Sequence, residues 1–165
     1  MEHWFTPWRA AYITSERRGS GCLLCDLAAS RSDRENLILR RSEHHYILIN
    51  RYPYSNGHLM VVPYEHRAAL ADLPVEARAE MMELAAKCER ALVRAYQPQG
   101  MNVGMNIGKP AGAGVPDHLH LHILPRWSGD TNFMTVVGAT RVVPESLDQT
   151  YDRLYPLLNP GREKP

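Results

Sequence analysis

The sequence has almost no charge imbalance: 19 Lys and Arg stand against 18 Asp and Glu, a formal net charge of +1. It lacks a basic run that would suit duplex nucleic acid and an acidic tail that would suit a cationic partner. It lacks an apolar run of the length that spans a bilayer. Its start, Met1-Glu2-His3-Trp4, does not read as a secretory signal, so a cytoplasmic location is the expectation. Cysteine is scarce, with only Cys22, Cys25 and Cys88. An odd count, two of them in a Cys-x-x-Cys pair, argues against a disulfide framework and for metal or free thiols. The Gly-x-Ser-x-Gly elbow is missing, as is the Gly-x-x-x-x-Gly-Lys-Ser/Thr phosphate loop. There is no internal repeat, low-complexity tract or linker. At 165 residues, with 44% hydrophobic and 22% charged side chains, the chain fits a single domain with arms: residues 1–20 at the front and 128–165 behind.

What the sequence does have is Asp117-His118-Leu119-His120-Leu121-His122-Ile123-Leu124-Pro125-Arg126-Trp127. Histidines alternate with aliphatic residues. In a β-strand, positions i, i+2 and i+4 share a face, so the pattern predicts a strand with three imidazoles on one face and three branched aliphatics on the other. Imidazoles titrate near neutral pH and suit nucleophilic catalysis, acid–base work or metal ligation. The middle one, His120, is best placed as a nucleophile, with His118 and His122 flanking it. The preceding loop carries Gly108, Gly112 and Gly114, whose backbone N–H groups can approach anionic oxygens closely. Asn106, Lys109 and Arg126 lie near in sequence. Together these point to phosphate chemistry more than to acyl transfer. Lys109 reads as a solvated charge and Trp127 as packing.

The rest of the chain reads as strands, a helix, then strands again. A short helix is expected over Asp26–Ser30, with strands over Asn36–Arg41, Tyr46–Asn50 and His58–Pro63. A short helix over Ala68–Leu73 stops at Pro74. Val75–Tyr96 is the one long helix, with Ala77, Met81, Leu84, Ala85, Cys88, Leu92 and Ala95 forming an apolar stripe, and with Pro98 and Gly100 closing it. A strand over Met101–Ile107 follows. Past Trp127, Val136 and Val137 form a short strand and Glu145–Leu158 a terminal helix. The order predicts an α+β domain with a largely antiparallel sheet and one long helix across it. Cys88 is read as core, and His3, His44 and His45 as surface or capping residues.

His-Leu-His-Leu-His followed by Ile-Leu-Pro-Arg resembles the signature of the histidine triad (HIT) superfamily. The stretch Asn50–Pro63 resembles that family's nucleoside-pocket strand pair. Pro125–Met134 resembles the bacterial branch close to the fragile-histidine-triad and diadenosine tetraphosphate phosphorylase proteins. The resemblance implies a HIT-like fold with a five-stranded sheet, continued across a homodimer. It implies cleavage of dinucleoside polyphosphates of the diadenosine tetraphosphate type through a covalent nucleotidyl-histidine, released by water or by phosphate. The alternative is a nucleotide-binding or sensing protein with little turnover. Carried over residue by residue, His120 is the nucleophile, while His122 contacts the α-phosphate and helps the leaving group. Asn50 binds the ribose, His58 lies beside that pocket, and Asn106 contacts phosphate. Fragile-histidine-triad hydrolases carry glutamine at that last place and a polar pair where this chain has Ala113-Gly114. The phosphate contacts then fall to the backbone of Gly112, Ala113 and Gly114, and the asparagine leans toward phosphate as acceptor.

Cys22 and Cys25 are at the spacing of half a tetrahedral zinc site. Zinc-bearing relatives complete it with a histidine after the second pocket strand and the first histidine of the triad. His66 and His118 occupy those positions. The metal implied is structural, and no organic cofactor is implied.

Overall fold

The structure, a computed structural model, describes residues 21–130 and 144–162. The front arm over residues 1–20 and the strand at Val136 and Val137 lie outside the described residues. In chain order the elements are α1 (Leu23–Ala29), β1 (Ile38–Arg41), β2 (His45–Ile49), β3 (Leu59–Pro63), α2 (Val75–Tyr96), β4 (Gly100–Met105), β5 (Leu121–Arg126) and α3 (Leu147–Leu158). The strands form one five-stranded sheet in the order β1-β2-β3-β5-β4, with every neighbouring pair antiparallel. The α+β class and the antiparallel sheet are as the pattern predicts.

Period-two alternation sorts the sheet into two faces. One face, with Leu39, Ile47, Ile49, Leu59, Val61, Leu119, Leu121 and Ile123, packs against α2 and against Tyr151, Leu154 and Leu158 of α3. Each such aliphatic side chain taken fully out of water stabilises the fold by roughly 1.5–3 kcal/mol. The stripe on α2 reads as expected, and Cys88 sits in it with no exposed surface; burial pushes its thiol up to about 12. The helix ends where Gln97 turns left-handed at φ 48° and Pro98 follows. The opposite face gathers a smaller apolar group, Leu24 of α1 with Ile38, Tyr46, Leu48, Met60, Val62 and Val115. The register runs Leu48, Met60, His122 and Gly104 side by side across this second face. The sheet thus presents His122 away from the long helix.

Several boundaries move. The short helix is Leu23–Ala29, with Cys22 as its N-cap residue. The helix expected over Ala68–Leu73 contracts to a 3-10 turn at Leu70–Asp72. The terminal helix begins at Leu147 because Ser146 and Gln149 form a reciprocal capping box. More consequential, β5 begins at Leu121, so only His122 of the three histidines lies inside a strand. The Leu119 N–H donates to the Arg67 carbonyl at 2.6 Å, outside the β3–β5 ladder, which ties the chain down just before the strand begins. The alternation survives, since Leu119, Leu121 and Ile123 all face the α2 core.

His45 is neither surface nor cap; it is fully buried. Glu80 of α2 accepts from its Nδ1–H at 2.8 Å, and also from Ser42 Oγ, Glu43 N–H and His44 N–H. Burial keeps His45 below its ordinary pKa, so the contact is a neutral donor on a carboxylate. For Glu80, burial opposes ionisation, but the bonds from His45, Ser42 and the turn amides outweigh it and hold the carboxyl at about 2. A folded pKa below the unfolded value of about 4.5 gives stability that is complete above pH 4.5 and lost as pH falls toward 2. Glu80→Gln is therefore expected to cost up to about 3 kcal/mol at neutral pH. Its urea midpoint should also be flatter than that of the parent between pH 4.5 and 2; equal acid sensitivity of the two proteins would contradict the assignment.

Candidate active site

The site is built at the C-terminal end of β2, the start of β3 and the approach to β5. The turn joining β2 to β3 is closed by Asn50: its Oδ1 accepts from the Tyr52 N–H at 3.0 Å, and its backbone N–H donates to the His58 carbonyl at 2.9 Å. Gly57 completes the turn at φ +72°, where a Cβ would lie 2.8 Å from Leu92 of α2. Only glycine fits there, and that fit sets His58 at the head of β3.

Hydrogen bonds fix the proton on each ring, to the backbone for His120 and His58 and to His58 for His122. His120 Nδ1 lies 2.8 Å from the His118 carbonyl. A carbonyl only accepts, so Nδ1 carries the proton and Nε2 keeps its lone pair. Burial also lowers the His120 pKa, partly offset by that same bond, so the ring is neutral at physiological pH. A neutral imidazole with an unprotonated Nε2 is a nucleophile. His58 is set the other way: its Nδ1 accepts from the Tyr54 N–H at 3.1 Å. Its proton is therefore on Nε2, 2.8 Å from His122 Nδ1. His122 accepts there and carries its own proton on Nε2, as a donor. The His120 and His122 rings are 4.8 Å apart, nearly perpendicular. A lone pair and an N–H donor thus stand side by side, both on buried residues. The sequence reading put His58 beside the pocket; its direct bond to His122 has no local signal beyond a histidine opening an otherwise apolar strand.

His118 turns to a different task. Its Nε2 donates to the Pro63 carbonyl at 2.9 Å, which leaves the Nδ1 lone pair facing Cys22 Sγ at 3.3 Å and Cys25 Sγ at 3.5 Å. His66 Nδ1 is 3.4 Å from Cys25 Sγ. The four donor atoms of Cys22, Cys25, His66 and His118 all lie within 4.8 Å of one another. A tetrahedral zinc with two sulfur and two nitrogen ligands has ligand–ligand edges of about 3.4–3.8 Å, so the cluster can hold such an ion. Burial, the neighbouring Cys22 thiol and the Asp26 carboxylate push the Cys25 thiol up. A cation among the donors would relieve that. The carbonyl bond behind His118 is the usual outer support of a histidine ligand.

The remaining predicted residues are placed less directly. Met105 pairs with Leu121, so Asn106 follows beside the His120 segment. In the glycine loop, Gly108 and Gly112 take φ +83° and +89° around a 3-10 turn at Lys109–Ala111. The Gly112 and Ala113 amides donate to Lys109 and Gly108 carbonyls, so an anion there competes with the loop's own bonds. Trp127 packs edge-on against Tyr96, as a packing residue does.

An open antiparallel sheet backed by one long helix, with buried imidazoles converging on the face away from it, defines a histidine-triad protein. The HIT domain family profile matches residues 31–129, and the chain belongs to that family. It is 44% identical over 119 residues to a Mycobacterium tuberculosis protein named AP-4-A phosphorylase, covering 72% of this chain and 61% of that one. The chain thus spans about three fifths of that relative's length. It is 28% identical over 123 residues to the adenosine 5'-monophosphoramidase of Saccharomyces cerevisiae, covering 71% of this chain and 73% of the other. Among solved structures, a zinc-bound histidine triad family protein from Mycobacterium smegmatis superposes with a TM-score of 0.67 at 24% identity, over 84% of this chain and 93% of that one. No helix among the described residues is long and apolar enough to cross a membrane.

Proposed function

We propose that this protein is a nucleotidyl hydrolase or transferase that cleaves dinucleoside polyphosphates of the diadenosine tetraphosphate type. The observation that carries the reading is the His120 Nδ1–H bond to the His118 carbonyl, which leaves Nε2 as a buried neutral nucleophile. His120 Nε2 attacks the α-phosphorus, a P–N bond forms and the P–O bond to the leaving nucleotide breaks. His122 Nε2–H hydrogen-bonds to the departing oxygen and stabilises the charge on it as the nucleotide leaves as a phosphate anion. The acceptor oxygen then attacks the same phosphorus and displaces His120. Asn50 and His58 lie at the nucleoside end, with Asn106 and the Gly112–Gly114 backbone at the phosphates. Asn106 and the name of the 44% identical relative both favour phosphate over water as acceptor. The Cys22, Cys25, His66 and His118 cluster holds a structural zinc in this reading, supported by its donor set and spacing. The working form is a cytoplasmic homodimer with the sheet continued across it.

The test is product analysis after incubation with diadenosine tetraphosphate, with and without inorganic phosphate. ADP plus ATP only in the presence of phosphate is the expected result. AMP plus ATP without phosphate would make water the acceptor, and no turnover of this or other adenylylated substrates would leave a nucleotide-binding protein.

A further inference from the structure

The β2–β3 turn contributes one residue that neither the triad nor the pocket accounts for. Tyr54 touches both members of the His58–His122 pair. Its backbone N–H donates to His58 Nδ1 at 3.1 Å. Its ring centroid lies 4.8 Å from that of His58 at 41°, and 6.2 Å from that of His122 at 28°. Neither apolar cluster includes it. A tyrosine placed only to fill the core would contact those aliphatic clusters; this one lies over two imidazoles.

The two contacts have different consequences. The backbone bond makes His58 Nδ1 an acceptor, which sends its proton to Nε2 and makes His122 an acceptor at Nδ1. The ring acts on geometry. Stacked aromatic faces favour offset, tilted arrangements, and rotating the His122 ring about its Cβ–Cγ bond would lose both the stack and the His58 bond. The ring also lies beside the buried His58–His122 hydrogen bond, and such a bond strengthens when water is kept away. Without it, water can compete for His122 Nδ1 and the Nδ1–H tautomer gains population.

We propose that Tyr54 is a positioning residue. Its ring keeps the His58–His122 pair in the one arrangement that presents His122 Nε2–H to the leaving oxygen. The proposal rests on the nucleotidyl-transfer reading above, and its experiment separates the two. Uniformly 15N-histidine-labelled protein is compared as wild type, Tyr54→Phe and Tyr54→Leu, with kcat and KM for diadenosine tetraphosphate measured at saturating phosphate. Wild-type His122 should show the Nε2–H pattern alone. Tyr54→Phe should keep that pattern and kcat within about twofold, because the argument uses the ring. Tyr54→Leu should lose about tenfold in kcat with KM changed less than about threefold, and should show mixed His122 tautomers. An Nδ1–H tautomer at His122 in the wild type overturns the proposal without any variant. So does Tyr54→Leu with unchanged kcat and spectra, or Tyr54→Phe falling as far as Tyr54→Leu. Absence of turnover in the wild type overturns the reaction reading instead, while the nitrogen spectra still decide what the ring does.

Discussion

His120→Asn is expected to abolish turnover while leaving the fold and nucleotide binding in place. The asparagine amide can stand where His120 Nδ1–H stands and donate to the His118 carbonyl, 2.8 Å away in the native site. It offers no lone pair at the Nε2 position, so the attack on phosphorus has no agent. Removing the nucleophile of a covalent mechanism costs at least about 10³-fold in kcat. Single-turnover chromatography sets the size of the loss, and intact-mass spectrometry shows whether the wild type accumulates a nucleotidyl adduct that the variant lacks. AMP titration by calorimetry should give similar affinity for both, since the ribose and base ends are untouched. Wild-type activity in the variant would falsify the assignment of His120.

Cys25→Ser is expected to release the metal and lower stability more than any single core substitution. The purified wild type should carry close to one equivalent of zinc per chain, read by inductively coupled plasma mass spectrometry. A structural zinc joins binding free energy to folding free energy, and losing several kcal/mol moves the melting midpoint by on the order of 10 °C or more in a domain of this size. Turnover should also fall, though less than in His120→Asn. The cluster fixes the ring of His118, and the carbonyl of that same residue fixes the His120 tautomer. His66→Ala should show the same two effects to a smaller degree, because His66 is the exposed ligand. Metal-free wild type with an unchanged melt after chelation would remove the metal from the account.

The sequence carried more of this fold than of its site. Alternation of aliphatic residues and the stripe on the long helix were enough to place the sheet, α2 and the faces they bury. The Cys-x-x-Cys spacing marks half of the candidate metal cluster, since ligand spacing is a local signal, while His66 and His118 follow only from the family resemblance. Two things were not legible. β5 begins only at Leu121, with the Leu119 amide bonded to the Arg67 carbonyl outside the ladder, and nothing in residues 117–123 announces that partner. His45 reads from the sequence as a surface or capping residue; its carboxylate partner is Glu80, 35 positions away on another element. The His58–His122 bond and the Tyr54 stack are of the same kind. Each depends on a pairing between distant segments, and residue type alone does not encode register.

The strand order also sets which contacts are local and which span the chain. β1, β2 and β3 form a meander whose contacts are local, so Asn50, Tyr54 and His58 can be arranged early at small loop-closure cost. β5 lies between β3 and β4 and follows α2 in the chain, so its pairing with β3 spans the whole of that helix. His58 and His122 are 64 residues apart, and Cys22 and His118 are 96 apart. Contacts of that separation are the slow, high-contact-order part of folding. The His58–His122 bond and the Cys22–His118 contact therefore each close a far longer loop than any pairing within the meander. A metal held by Cys22, Cys25, His66 and His118 would bridge that 96-residue gap and act as a clasp behind β5.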